Sequence, residues 1–258
     1  MGNIREENRA KTAVRLDISE DQIPRHVAVI MDGNGRWAAN KGMPRIEGHQ
    51  MGGKTVERMA LCGVALGFDV LTLYSFSTEN WKRPPEEIAG LMQLYRQYLI
   101  GIRPMMMKNQ VHLVHIGRME NLPAYVTDEL NKSIEMTAGN EGMTLALALN
   151  YSGRAEIVDA VKKIVGECKK GTLNPDNIDD ELISDRMYCP EIGDPDLLIR
   201  TAGEMRISNF LLWQISYSEF YVTDTLWPDF MNEDMELAVL TYAGRARRFG
   251  GLNKNIHK

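Results

Sequence analysis

His26-Val27-Ala28-Val29-Ile30-Met31-Asp32-Gly33-Asn34-Gly35-Arg36-Trp37 joins an unbroken apolar run to an acid, two glycines and a cation. The run has the length and continuity of a strand buried on both faces. The polar residues then fall at its carboxyl end, where ligands sit in open α/β sheets. Glycines let backbone N–H groups approach an anion, Arg36 can grip phosphate oxygens in pairs, and an acid among phosphate binders is best employed as a Mg²⁺ ligand. The segment reads as a diphosphate and metal site. Taken alone it reads equally well as a strand-to-helix turn in which Gly33 and Gly35 supply unusual dihedrals and Asp32 caps the next helix.

Outward from this stretch, further short apolar runs at 69–75, 111–116, 143–149, 196–200 and 218–222 alternate with amphipathic stretches at 47–66, 85–107, 122–138, 153–167 and 232–247. Strand and helix in alternation predict an α/β fold: a single domain over 23–258 with a central, mostly parallel six-stranded sheet flanked by helices. Residues 1–22, charged and polar, read as a flexible N-terminal tail.

At 258 residues and 44% hydrophobic composition the chain can bury a sizeable core, and its net charge of −5 argues against a nucleic-acid partner. Cys62, Cys168 and Cys189 show no metal or redox spacing, which fits a reducing compartment. No signal peptide or long apolar window is present, so the reading is a cytoplasmic protein whose membrane contact, at the inner face of the plasma membrane, is peripheral at most.

Further strand ends repeat the chemistry of the first. Ser75-Phe76-Ser77-Thr78-Glu79-Asn80-Trp81-Lys82-Arg83-Pro84 follows the second run, and Arg200-Thr201-Ala202-Gly203-Glu204-Met205-Arg206-Ile207-Ser208-Asn209 follows the fifth. Arg36, Arg83, Arg200 and Arg206 are thereby brought to one sheet edge. Single surface arginines are ordinarily just solvated, but four at a ligand edge imply more anionic charge than one phosphate carries. Gly48-His49-Gln50-Met51-Gly52-Gly53-Lys54-Thr55 matches the nucleotide-binding P-loop pattern to the letter. A working P-loop follows a buried strand, whereas 38–47 is polar and broken by Gly42 and Pro44; the octapeptide therefore reads as the opening turns of a helix, with His49 turned to the Asp32 site.

Asp32-Gly33-Asn34-Gly35-Arg36-Trp37-Ala38, Arg45, Gly48-His49, the Ser75–Pro84 block, Asp194-Pro195-Asp196-Leu197-Leu198-Ile199-Arg200-Thr201 and Arg206-Ile207-Ser208-Asn209-Phe210-Leu211-Leu212-Trp213 together resemble the cis-prenyltransferases, from about residue 24 to 251. The trans-type DDxxD cluster is missing; Asp179-Asp180-Glu181-Leu182-Ile183 lacks its last acid. The resemblance implies sequential addition of isopentenyl diphosphate to an allylic diphosphate such as farnesyl diphosphate, with Mg²⁺. The product would be a long-chain polyprenyl diphosphate of the undecaprenyl kind, precursor of a cell-wall lipid carrier.

By the same resemblance Asp32 and Glu219 are the metal carboxylates, and Gly33, Asn34, Gly35, Arg36, Arg45 and His49 cradle the allylic diphosphate, with Trp37 nearby. Ser77, Thr78, Glu79, Trp81 and Arg83 belong to a loop closing over both substrates, with Asn80 an orienting group and His49 an alternative proton acceptor. Arg200, Arg206, Ile207 and Ser208 form the isopentenyl diphosphate site. Relatives often carry Ser or Gly at Ala202 and some carry His at Met205, so neither ligand is available here. The family also implies a homodimer in which Arg248 and Gly250 of Arg248-Phe249-Gly250 reach the neighbouring subunit, behind a helix docked by Met235, Leu237, Leu240 and Tyr242. A non-catalytic partner subunit would lose the Asp32–Arg36 block, which is complete. An apolar tunnel for the product finds candidates in Ile88, Leu91, Met92, Tyr95, Leu99, Ile102, Leu145 and Leu147, with Met143 at its far end, although ordinary core is the better reading for each taken singly.

Overall fold

The computed structural model describes residues 4–245. In chain order the elements are α1 Ile4–Leu16, β1 His26–Ile30, α2 Asn34–Asn40, α3 Arg45–Leu66, β2 Val70–Ser77, α4 Pro85–Gly101, α5 Arg103–Lys108 and β3 His112–Ile116. Then follow α6 Ala124–Thr137, β4 Thr144–Tyr151, α7 Gly153–Lys169, α8 Asp180–Ser184, β5 Leu197–Arg200, β6 Glu219–Val222 and α9 Asn232–Ala243. The stretch read as one helix at 85–107 is two, because Pro104 cannot continue the hydrogen-bond ladder of α4 and instead sits in the first turn of α5.

Six strands form one sheet in the order β3-β4-β2-β1-β5-β6, every neighbouring pair parallel. Parallel strands must be joined by crossovers, and the helices in those crossovers cover both faces. β1 shows the consequence residue by residue. Val27 and Val29 enter the core that includes Met59, Leu71, Leu73 and Val239, while Ala28 and Ile30 enter the opposite one with Leu198, Phe210 and Leu211. Ile30 is in register with Tyr74 of β2 and Arg200 of β5, so the segments leaving all three strands share the carboxyl edge. The chain visits the strands on one side of β1 before crossing to β5 on the other, which makes β1 the switch point at which such sheets open a crevice.

Residues 4–22, within the stretch expected from composition to be a tail, hold a packed helix. The described part contains α1, seated on the carboxyl end of α3, and the contact is polar. Arg9 is only 2% exposed. Its guanidinium donates to the carbonyls of Glu20 (3.0 Å), Ile23 (2.7 Å) and Gly67 (3.1 Å), while Asn8 and Thr12 serve those of Val64 (2.9 Å) and Ala65 (3.1 Å). The last carbonyls of a helix need outside donors, and α1 supplies them. Gly67 closes the junction at φ +77°, where a Cβ would lie 2.5 Å from the Arg9 nitrogen.

Candidate active site

Gly33 turns the chain out of β1 at φ +106°, and a Cβ there would come within 2.9 Å of Leu226 and 3.1 Å of Ala202. Glycine is required by both the dihedral and the space. The turn aims the Asp32 carboxylate back across the sheet edge. One oxygen accepts the Gly33 N–H at 2.7 Å and the other accepts Arg200 at 2.9 Å, with Arg36 3.6 Å away. Partial burial works to raise the Asp32 pKa, but Arg200, the Gly33 amide and Arg36 outweigh it and hold the group below its usual value. Asp32 is therefore a fixed anion.

Arg200, 5% exposed at the end of β5, also donates to Ser208 Oγ at 2.9 Å and to the Arg206 carbonyl. Opposite it, Ser77 opens a short turn, Thr78–Lys82, by donating its N–H to Asn80 Oδ1 at 3.1 Å. The Asn80 oxygen is thereby occupied and its NH₂ is the functional end, which suits an orienting donor and not a base. Arg83 and Arg45 share one carboxylate oxygen of Glu87, at 3.1 and 3.2 Å. His49 has its pKa pushed down to about 4, by burial first and then by the Arg83 and Arg45 cations. It is a neutral imidazole across the physiological range.

These groups surround a cavity of about 370 Å³ at the carboxyl edge. Among the described residues Asp32 is its only acid, set against the guanidiniums of Arg83, Arg200 and Arg206. Three polar atoms of its lining residues are buried with no partner among the described residues: Asn34 Oδ1, His49 Nε2 and Arg200 Nε. Buried polar atoms are nearly always paired, and two of these, the His49 and Arg200 nitrogens, are groups that can donate to an anion beside the cavity's guanidiniums. Behind it lies an apolar cavity of about 60 Å³ lined by Leu99, Ile102, Leu113, Leu145 and Leu147, bordered like the first by Tyr95 and Tyr98. Charged head and apolar tail are both provided for.

The family model described as "Putative undecaprenyl diphosphate synthase" matches residues 30–250. An isoprenyl transferase of Listeria monocytogenes serotype 4b is 48% identical over 237 residues, 92% of this chain and 94% of that protein. The isoprenyl transferase of Bacillus subtilis strain 168 is 48% identical over 236 residues, 92% of this chain and 91% of that one. The solved structure of lavandulyl diphosphate synthase from Lavandula x intermedia, in complex with dimethylallyl diphosphate, has a TM-score of 0.87 at 36% identity, over 90% of this chain and 100% of that chain. The chain belongs to the cis-prenyltransferase family.

Of the residues expected in a cis-prenyltransferase site, Asp32, Asn34, His49, Ser77, Asn80, Arg83, Arg200, Arg206 and Ser208 line the cavity. Arg36 and Arg45 stand at its rim on Asp32 and Glu87. Others serve the frame. Trp37 is buried and donates to Asp229 Oδ1 at 2.7 Å, Trp81 donates to Asn150 Oδ1 at 2.7 Å, and the Glu79 carboxylate is engaged by Asn209 at 2.7 Å; none of the three faces the cavity. Neither Gly35, Thr78 nor Ile207 is part of the lining. Gly35 instead leaves room for Arg45, whose guanidinium carbon would lie 3.3 Å from a Cβ there.

Glu219 lies apart from Asp32 in the chain. It begins β6, in register with Leu197, while Asp32 follows the end of β1, so within one chain the two acids occupy opposite edges of the sheet. Glu219 is held there by Arg245 at 2.9 Å. Among the described residues no three His, Cys, Asp or Glu side chains are grouped to hold a metal. Arg248 and Gly250 lie outside the described residues.

The P-loop-like octapeptide lies in the first three turns of α3 and follows α2, not a strand. Its glycines admit neighbours: a Cβ at Gly48 would sit 2.0 Å from the Asn34 carbonyl, at Gly52 2.3 Å from Asn34 Oδ1, and at Gly53 1.9 Å from the Tyr98 ring. Tyr74, Tyr98 and Trp227 also line the larger cavity without having been singled out from sequence, and Tyr95, expected in the tunnel, lines it with them. Tyr95 and Tyr98 anchor by donating to the carbonyls of Ser75 and Gln50, both at 2.6 Å. Of the tunnel candidates, Leu91, Tyr95, Leu99, Ile102, Leu145 and Leu147 line one cavity or the other. Ile88, Met92 and Met143 belong to the general core, and Met143, which precedes β4 at the opposite edge, has its sulfur where a Cβ on Gly63 would meet it at 2.8 Å.

Proposed function

We propose that this prenyltransferase condenses isopentenyl diphosphate stepwise onto an allylic diphosphate, farnesyl diphosphate, to a long-chain product of the undecaprenyl class. What carries the reading is the clustering of the unpaired His49 and Arg200 nitrogens with the guanidiniums of Arg83, Arg200 and Arg206 around one cavity, backed by an apolar one. The allylic diphosphate takes Asn34, His49 and the Arg36 side of the cavity; isopentenyl diphosphate takes Arg200, Arg206 and Ser208. Ionising an allylic C–O bond places charge on the departing diphosphate. Guanidiniums and N–H donors already in position then stabilise the transition state more than the ground state.

Asp32 suits Mg²⁺, since it is held anionic in a cavity that otherwise carries cations. The ion, when bound by Asp32 and diphosphate oxygens, would supply further charge neutralisation on the leaving group. His49, neutral and with Nε2 uncommitted, can donate to a phosphate oxygen or take the proton lost from the isopentenyl unit. We further assign a homodimer in which Arg248 and Gly250 complete the neighbour's site, a cytoplasmic location and peripheral membrane contact for product release. No helix among the described residues is long and apolar enough to cross a membrane.

The test is incubation of the purified protein with labelled isopentenyl diphosphate, farnesyl diphosphate and Mg²⁺, with the product sized by chromatography. A ladder ending in a long Z-polyprenyl diphosphate is expected. Asp32→Ala should lose at least about a thousandfold in turnover while retaining farnesyl diphosphate binding. Near-normal turnover in that variant would sink the assignment. Mixed Asp32→Ala and Arg248→Ala chains should recover activity neither parent has, and no recovery would remove Arg248 from the neighbour's site.

A further inference from the structure

Within the segment 208–211, Ser208 takes φ +49°, Asn209 +62° and Leu211 +44°. Left-handed backbone is disfavoured for Ser and Leu and tolerated by Asn, so the segment relies on contacts from outside it. The holding converges on Asn209. Its carbonyl accepts the Gly153 N–H at 2.8 Å and its Oδ1 accepts the Arg154 N–H at 2.9 Å, which satisfies two of the orphan amides that open α7. Its Nδ2 donates to Ser152 Oγ and to the Glu79 carboxylate, both at 2.7 Å.

The amide cannot be turned round, because the Arg154 amide only donates and the Glu79 carboxylate only accepts. Burial works to raise the Glu79 pKa, yet hydrogen bonds led by that from Asn209 hold it below its usual value. The link is thus a charge-assisted one. Its two ends belong to different walls of the cavity. Glu79 sits in the turn between Ser77 and Asn80, while Ser208, adjacent to Asn209, accepts from Arg200 on the far side. Asn209 itself does not line the cavity.

We propose that Asn209 is a positioning residue that couples the two diphosphate subsites. Through Glu79 it fixes the turn presenting Asn80 and Arg83, and through its own backbone it fixes Ser208 against Arg200. The subsite assignment rests on the proposed function; the coupling of the two walls does not.

The test exchanges donor and acceptor. Asn209→Asp keeps an oxygen for the Arg154 N–H, so the start of α7 is still served, but it sets carboxylate against carboxylate at Glu79. Adding Glu79→Gln returns a donor and rebuilds the pair with its polarity reversed. Loss of a charge-assisted hydrogen bond predicts that Asn209→Asp lowers kcat/KM for isopentenyl diphosphate about ten- to hundredfold. Trypsin, with the fragments identified by mass, should cut after Lys82 several-fold faster in the same variant, with the melting temperature of the whole little changed. The double variant should recover most of both losses. A double variant no better than Asn209→Asp, or an Asn209→Asp variant like wild type, overturns the coupling. Should wild type fail to elongate any allylic diphosphate, the functional reading falls instead, and the trypsin readout, which needs no substrate, still decides whether the two walls are joined.

Discussion

His26 and His49 lie at opposite ends of the same sheet, and burial pushes both imidazoles down to about 4. Their hydrogen bonding differs. The ring of His26, at the amino end of β1, meets the Gly193 carbonyl at 3.0 Å and the Thr72 hydroxyl at 2.7 Å, so both nitrogens are engaged. Nε2 of His49, at the carboxyl edge, is buried and has no partner among the described residues. A depressed pKa therefore marks burial, and only the unmet hydrogen-bonding capacity marks the functional histidine.

His26→Ala should cost about 3 kcal/mol of stability, since it opens a cavity and strands the buried Thr72 hydroxyl. Urea unfolding measures the loss, and kcat per folded molecule should be unchanged. A fall in kcat with stability intact would erase the distinction. His49→Gln should do the reverse, with kcat/KM down about ten- to hundredfold and stability within roughly 1 kcal/mol of wild type.

A titration separates the two ends more finely. Folded His26 has a pKa of about 4 against 6.5 for the free side chain, so between those values the unfolded chain binds the extra proton. Stability from this group is complete above pH 6.5 and is lost as the pH falls toward 4. His26→Gln should flatten the stability profile in that window by up to one proton, roughly 1.4 kcal/mol per pH unit. An unchanged slope means the ring is not buried as described. The smallest effect belongs to Ala202, which holds φ +71° at the carboxyl edge. Ala202→Gly should relieve up to about 1 kcal/mol. A lower melting temperature would show that its methyl matters more than the strain.

Much of the carboxyl edge was legible because apolar runs end there in Asp32, Ser77 and Arg200, and chain direction in a parallel sheet assigns all such ends to one side. The same rule, applied strictly, separates Glu219 from Asp32, since Glu219 opens its strand where Asp32 follows one. The six strands and their helical crossovers emerged from periodicity; α1 did not, for its buried face includes Arg9 and Thr12 and carries no apolar stripe. Tyr95 was legible as a member of an apolar helix face, but neither it nor Tyr98 was legible as the border between two cavities. That role depends on Gly53, distant in sequence, whose missing Cβ admits the Tyr98 ring, and on carbonyls no pattern announces.

β1 pairs with β5, and Asp32 meets Arg200 across 168 positions of sequence. During synthesis at roughly 5–20 residues per second, something like ten to thirty seconds separate the emergence of the acid from that of its cation. In that interval β1 can pair with β2, but its other edge stays open and the Gly33 turn has neither Ala202 nor Leu226 to rest on. The nascent chain therefore acquires much of its core before it has a site. Catalytic competence arrives late, in the step that closes the second flank of the central strand.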